Sequence, residues 1–299
     1  MGRFAHKDPK KVANTQAANV MRRLQGNVLF SVGTVRNYEE ALSRVAQYAN
    51  QTFTLGLRDL TPAHAILYLT ERSGSVGQKT LDMERQALQV MMQHVSGQLQ
   101  DKATLPVIKA ERPQILRARA YTEAQVSLIQ QAQRGHNALA TRLAYAAGLR
   151  AHELLTLRPA SERSPSPRPA HPLKFLGREG GRYTVEGKGG LIREVLIPHD
   201  LAAELDSLRL STPDTVTDRQ VHYPRHYAIS GGRAWSTSFS RAAKQVLGWS
   251  KGAHGVRHSY AQARVTELQQ QRLSRAQALA IVSQEMGHFR PDITEVYLR

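Results

Sequence analysis

Residues 253–263 read AHGVRHSYAQA. On a helix, the i, i+3, i+4 spacing puts His254, Arg257 and His258 on one face. Side chains that are, or can become, cationic repel one another at that spacing unless an anion meets them. A zinc reading of His254 and His258 is weak. The H-E-x-x-H pattern needs a glutamate where Gly255 stands, and no third ligand is evident. The stretch asks for an anionic partner.

The totals point the same way. Lysine and arginine number 41 against 24 acids, a formal net charge of +17, in a chain of 299 residues that is long enough for two cores. With 22% charged and 41% hydrophobic residues the composition is globular, so the excess charge must sit on the surface, where it attracts a polyanion. Nucleic acid is the leading candidate, ahead of a membrane surface. There is no long apolar run and no signal-peptide core, so no membrane partner is expected. Cysteine is absent, which removes disulfides, a thiolate nucleophile and cysteine-based zinc sites. The expected setting is cytoplasmic and DNA-associated.

Working outward, residues 1–30 are basic and weakly patterned, and read as a flexible arm leading into a short helix. Residues 33–50 give a clean helix with Thr34 as its cap and Val35, Tyr38, Leu42, Val45 and Ala49 on one face. Another helix opens with Thr61 as cap and Pro62 in the first turn and stops at Gly74. A longer one over 76–95 carries Leu81, Leu88, Met91 and Val95. KAERPQILRARA, 109–120, is a basic interdomain linker. Thr122 and Gln125 form a capping box for the next helix. Residues 138–159 hold two helical pieces broken at Gly148, with Arg150 at the start of the second. PASERSPSPRPAHP, 159–172, is too rich in proline and serine to be regular and reads as an exposed loop. Residues 182–198 alternate apolar and polar on either side of a glycine-rich turn, a β-hairpin with Lys188 at its tip. The remainder reads as helical, at about Ser236–Leu247, His254–Gln271 and Arg275–Met286. The last has a capping box at Ser274 and Gln277 and stops at Gly287. A short helix after Pro291 carries Tyr297.

Each candidate has a plain explanation on its own. Arg150 can be a surface residue paired with Glu153, worth about 0.2–0.5 kcal/mol. Lys188 can be a soluble turn residue, His288 a helix-end histidine, and Tyr297 a half-exposed terminal residue. In order, however, GLRAHELL, GKGG, HGVRH, GH and VYL resemble the signature of the tyrosine recombinase (phage integrase) family. That signature is an Arg box with a nearby acid, a Lys on a β-hairpin, an H-x-x-R-H box, a G-H pair, and a Tyr nine residues past that His. The resemblance covers roughly Tyr121–Arg299.

The resemblance implies a mainly α fold with a small antiparallel sheet or hairpin. It would be a two-domain DNA clamp with a helical core-binding domain over 1–108, the linker over 109–120 and a catalytic domain over 121–299. It also implies a reaction in which Tyr297 attacks a phosphodiester and forms a 3′-phosphotyrosyl link, and a free 5′-hydroxyl later reseals the strand. Two guanidiniums, Arg150 and Arg257, would clamp the phosphate, since arginine stays ionised and binds phosphate oxygens in pairs. His254 and His288 would hydrogen-bond the same phosphate, His254 would also help move protons, since imidazole titrates near neutrality, and Lys188 would protonate the leaving oxygen. Glu153 would orient the arginines, and His258 would support them or touch the phosphate. No metal and no cofactor is required on this reading.

The implied partners are double-stranded DNA, a homotetramer assembled on two DNA sites, and accessory DNA-bending proteins. A type IB topoisomerase, a telomere-resolving enzyme and a catalytically silent DNA-binding protein share parts of the pattern. Two features depart from it. The 159–172 stretch interrupts the run from the Arg box to the hairpin. Only Leu298 and Arg299 follow Tyr297, where many family members have a docking segment.

Overall fold

The computed structural model describes residues 8–113 and 117–299, with Lys188 described by its backbone alone. The chain divides into two compact units, Met1–Ile115 and Leu116–Arg299.

The first unit is helical: α1 (Pro9–Leu24), α2 (Val32–Phe53), a 3-10 turn at Leu57–Asp59, α3 (Pro62–Ser73) and α4 (Gln78–Met91), which runs on into a π turn, Met92–Ser96. The basic N-terminal region is not an arm from residue 9 onward. Asp8 caps α1, and Ala13, Ala17, Val20, Met21 and Leu24 are buried. Two of those five are alanines, so the stripe is helical in spacing but weak in hydrophobicity, which is why it reads as unpatterned. The part of the expected arm in residues 1–7 lies outside the described residues. Helix α2 begins at Val32 rather than after Thr34. At α3 the expected Thr61 cap and Pro62 are in place, and the helix ends at Gly74.

Beneath this core lies one buried acid. Glu84 is fully buried, and it accepts hydrogen bonds from Tyr68 (2.9 Å), Arg44 (3.1 Å) and Arg72 (3.2 Å). A carboxylate out of water is tolerated only with such compensation.

The second unit starts with α5 (Glu123–Gln131), under the expected Thr122–Gln125 capping box, and α6 (Gly135–Ala147). After Gly148 there is no second helix, only a 3-10 turn at Glu153–Thr156. Strands β1 (Arg158–Pro159), β2 (Gly181–Glu186) and β3 (Ile192–Ile197) form an antiparallel sheet in that order. The β2–β3 register pairs Glu186 with Ile192, so the hairpin tip is Gly187–Leu191, with the Lys188 backbone inside it as expected. Pro159, the first residue of the proline-rich stretch, is a β1 residue opposite Tyr183. The rest of that stretch is irregular and mostly exposed. It is pinned at Arg163, which donates to the Thr156 and Thr184 carbonyls, and at Ser166, whose N–H bonds the Ile192 carbonyl.

Helix α7 (His199–Ser207) leads into a second hairpin, β4 (Arg209–Asp218) and β5 (Val221–Tyr227). This corrects the expectation that everything after the first hairpin is helical. The hairpin hides from the sequence for three reasons. It is mostly exposed, so it lacks a clean apolar alternation. It contains Pro213, inside a register shift between Arg209 and Asp214, and Pro224. Its two-residue turn, Arg219–Gln220, takes positive φ without glycine or asparagine.

Four helices complete the unit: α8 (Gly232–Leu247), α9 (Gly255–Gln270), α10 (Arg275–Glu285) and α11 (Pro291–Glu295). The chain is thus mainly α with small antiparallel sheets, as the sequence implies. Among the described residues no helix is long and apolar enough to cross a membrane.

Glu84→Ala should leave the buried Tyr68 hydroxyl unpaired and lower the unfolding free energy of the helical unit by about 1–3 kcal/mol. Urea denaturation followed by circular dichroism reads this as an earlier transition, and an unmoved transition would contradict the assignment.

Candidate active site

The site is built from a carboxylate outward. Glu153 opens the 3-10 turn and is fully buried. Its Oε1 accepts from Arg150 Nη1 at 2.6 Å, and its Oε2 from the Arg150 backbone N–H and from Arg193 Nη2, both at 2.7 Å. Arg257 Nη1 stands 4.0 Å from Oε2. Burial works to raise the Glu153 pKa. The Arg193, Arg257 and Arg150 guanidiniums overcome it and hold the carboxyl well below the usual range. The pair with Arg150 is therefore not the surface pair that its spacing suggests.

Gly148 makes the turn possible. Its φ is +59°, and a Cβ there would lie 2.6 Å from Tyr260 Cδ1. Left-handed backbone and close packing both demand glycine. Its carbonyl, freed from helix α6, accepts from Arg257 Nη1 and from Arg193 Nη2.

Arg257 lies one turn into α9 and is fully buried. Nη2 donates to the Met286 carbonyl at the end of α10 and to His288 Nε2 at 3.0 Å. Its Nε has no partner among the described residues. Burial, and then the repulsion of Arg150, push its pKa down to about 10. Arginine only donates, so His288 Nε2 must accept, and the ring proton belongs on Nδ1, which faces Thr294 Oγ1 at 3.2 Å.

His288 follows Gly287, a left-handed residue past the α10 cap, and its N–H bonds the Ser283 carbonyl at 2.8 Å. Burial, then the Arg257 and Arg150 charges, lower its pKa to about 3. His258 is also buried, with Nδ1 unpartnered among the described residues. Burial lowers it to about 4, against a backbone hydrogen bond at Tyr297. Burial, then the Arg257 and His258 charges, act to lower the pKa of His254, the residue ahead of α9, but its exposed edge lets solvent screen that shift.

Tyr297 sits two residues beyond α11 and is half-buried. Its ring centroid lies 4.6 Å from that of His258, 5.0 Å from His288 and 5.5 Å from His254, and 5.6 Å from Arg257 Cζ. Gln262 Nε2 holds its carbonyl at 3.1 Å. His254, Arg257, His258 and His288 thus converge on one tyrosine ring, and Arg150 joins the cluster through Glu153. The Lys188 side chain lies outside what is described. Its neighbour Gly187 places the loop backbone beside the site, since a Cβ there would be 3.5 Å from Glu153 Oε1 and 3.7 Å from Arg150 Nη1. Among the described residues no three His, Asp or Glu side chains gather as a metal cage would require.

Fold comparison matches the chain to solved structures. XerH site-specific recombinase in a post-cleavage complex with palindromic difH substrate superposes at a TM-score of 0.57 and 15% identity, over 98% of this chain and 93% of that one. The chain has the tyrosine recombinase fold. A lambda integrase tetramer bound to a Holliday junction matches at 0.58 and 16% identity, covering 99% and 82%. The Tn1549 transposon integrase in complex with transposon right end DNA matches at 0.53 and 13%, covering 96% and 94%. No protein-family model and no curated protein matches the sequence.

The sequence reading missed two groups in this tyrosine-recombinase-like unit. Arg193 reads as an ordinary strand residue, and Glu285 as an ordinary helix residue. Glu285 is buried and accepts from Arg264 (3.0 Å), Tyr260 (2.8 Å) and the Phe175 N–H (2.9 Å). It fixes α10 against α9 and the loop before β2. A separate groove of about 920 Å³ is lined by Arg134, Arg219, Arg233 and Arg241 and holds none of the residues around Tyr297. Its acid, Asp218, is engaged by the Arg233 N–H at 2.8 Å.

The histidine shifts carry a pH dependence. His258 and His288 are neutral in the fold and titrate near 6.5 when unfolded. Their contribution is therefore complete above about pH 6.5 and is lost as the pH falls toward their folded values, because the unfolded chain binds protons first. The thermal midpoint should drop between pH 7 and pH 5, and His288→Gln should flatten that drop. An identical slope in the variant would contradict the burial of His288 as a neutral ring.

Proposed function

We propose that this protein is a site-specific DNA recombinase that cuts and rejoins strands through a covalent 3′-phosphotyrosyl intermediate, in the integration or excision of a mobile element. The observation that carries the reading is the convergence of Arg257, His254, His258 and His288 on the Tyr297 ring, with Arg150 joined to Arg257 through Glu153, in a chain of matching fold.

The chemistry follows from the charges. Arg150, Arg193 and Arg257 face a single carboxylate, Glu153, which leaves a surplus of two positive charges in a largely buried site. A phosphodiester brings one negative charge and gains more on its non-bridging oxygens as a nucleophile attacks. Arg150, with a quarter of its side chain exposed, is the arm that reaches the phosphate, while Arg257 supports from beneath. The Tyr297 oxygen bonds to phosphorus as the bond from phosphorus to the 5′-oxygen breaks. The phenol's proton passes to a neutral imidazole, and burial keeps His258, whose Nδ1 has no partner among the described residues, in that form. Lys188 is assigned the proton for the 5′-oxygen, as the loop placement beside Arg150 and Glu153 allows. Religation runs the same steps backwards with a second 5′-hydroxyl, so the phosphodiester energy is kept.

Duplex DNA is the assigned partner, and a tetramer on two DNA sites the assigned assembly. The polar face of α8, with exposed Arg233, Arg241 and Lys244, supplies a surface for phosphates beside Arg134 and Arg219.

Two measurements check the proposal. Incubation with a pool of nicked duplexes of randomised sequence should trap an SDS-stable protein–DNA adduct that Tyr297→Phe abolishes. No adduct anywhere in the pool would leave only a DNA-binding protein. Binding should also weaken steeply with salt, and Arg233→Ala with Arg241→Ala should reduce the slope of log K against log[salt] by about 2 if each meets one phosphate.

A further inference from the structure

Arg193 is the second residue of β3, opposite Val185 in the hairpin, and its side chain is almost wholly inaccessible, at 2%. Its hydrogen bonds go to groups that hold the site in place rather than to the side chains around the Tyr297 ring. Nη2 and Nε reach the two Glu153 oxygens at 2.7 and 3.4 Å. Nη2 also donates to the Gly148 carbonyl, which Arg257 shares, and Nη1 donates to the Glu285 carbonyl, one residue before the Met286 carbonyl that Arg257 holds. At Gly287, next to His288, a Cβ would lie 2.6 Å from Arg193 Cδ, so the turn that presents His288 is packed on this side chain.

The charge balance shows what this is for. A buried Glu153 must be compensated, and without Arg193 only Arg150 and Arg257 could do it. Both would then be drawn toward the carboxylate and away from a ligand. With Arg193 bound to it, Glu153 has a full partner that never leaves, and it can orient Arg150 through Oε1 and the backbone N–H while Arg150 keeps charge for a phosphate. Lysine could supply the charge but not the fork that reaches both carboxylate oxygens and a carbonyl together.

We propose that Arg193 is a positioning residue for strand cleavage, acting through Glu153 to hold Arg150 in its phosphate-binding geometry. This rests on the function proposed above.

The test is a double-mutant cycle on single-turnover adduct formation with a trapped nicked duplex, using the full chain as wild type, Arg193→Lys, Arg150→Lys and the pair. Arg193→Lys should bind DNA with wild-type affinity and form adduct about 10- to 100-fold more slowly, the scale expected for a displaced reacting group. If Arg193 acts through Arg150, the double variant should be little slower than Arg150→Lys alone. A merely structural role would not give that coupling. Wild-type rates in Arg193→Lys, or losses that multiply in the double variant, would overturn this inference alone. A wild type that forms no adduct would overturn it together with the proposed function. Thermal midpoints of all four proteins keep the reading clear of misfolding: a rate loss in Arg193→Lys that disappears at a temperature well below its midpoint counts against positioning.

Discussion

A carboxylate with no access to water organises the second unit. An ion the size of Glu153 costs several kcal/mol to bury, and only close opposite charge and hydrogen bonds offset that cost. Each offsetting group comes from a different part of the chain. Arg150 is supplied by the turn that Gly148 permits, Arg193 by the first hairpin and Arg257 by α9. Meeting the needs of one acid thus draws the turn after α6, the edge of the sheet and the start of α9 to one point. The end of α10 joins them because Arg193 and Arg257 use its last carbonyls. The positive charge left over is what a phosphate could use, so the same constraint that orders the fold also creates the electrostatic demand for a ligand.

What could be read from the sequence was local or carried by spacing. The capping boxes at Thr122 and Ser274 involve residues three apart, and the first hairpin shows period-two alternation about a glycine turn, so neither needed tertiary information. The order of Arg150, the Lys188 hairpin, His254–His258, His288 and Tyr297 was visible because their types and intervals form a pattern. Burial was not visible. An Arg–Glu pair three residues apart looks the same on a solvated helix as it does beneath one. Arg193 did leave a signal. In IREVLI it falls on the same strand face as Val195 and Ile197, all three buried, and an arginine on the apolar face of a strand calls for an internal partner. The second hairpin left almost none, since its faces are mostly wet and its turn uses Arg219 and Gln220 in place of glycine.

The way Arg257 is held bears on what kind of site this is. A guanidinium has five N–H donors, and three are in use, on the Gly148 and Met286 carbonyls and on His288. Two remain, one of them the unpartnered Nε–H. Arg257 is therefore fixed by the protein's own main chain before any ligand arrives, and a phosphate would find its charge already in place. Such an arrangement stabilises developing charge without a reorganisation cost at the moment of reaction. It also keeps His288 in one tautomer, because Nε2 accepts from Arg257. For His288 to donate a hydrogen bond to phosphate through Nε2, it must first gain a proton or release Arg257, and its low pKa opposes the first in the absence of added negative charge. A bound phosphate anion changes that balance directly, since it favours imidazolium where Arg257 and Arg150 disfavour it. The anion that needs the hydrogen bond is thus also what makes the bond available.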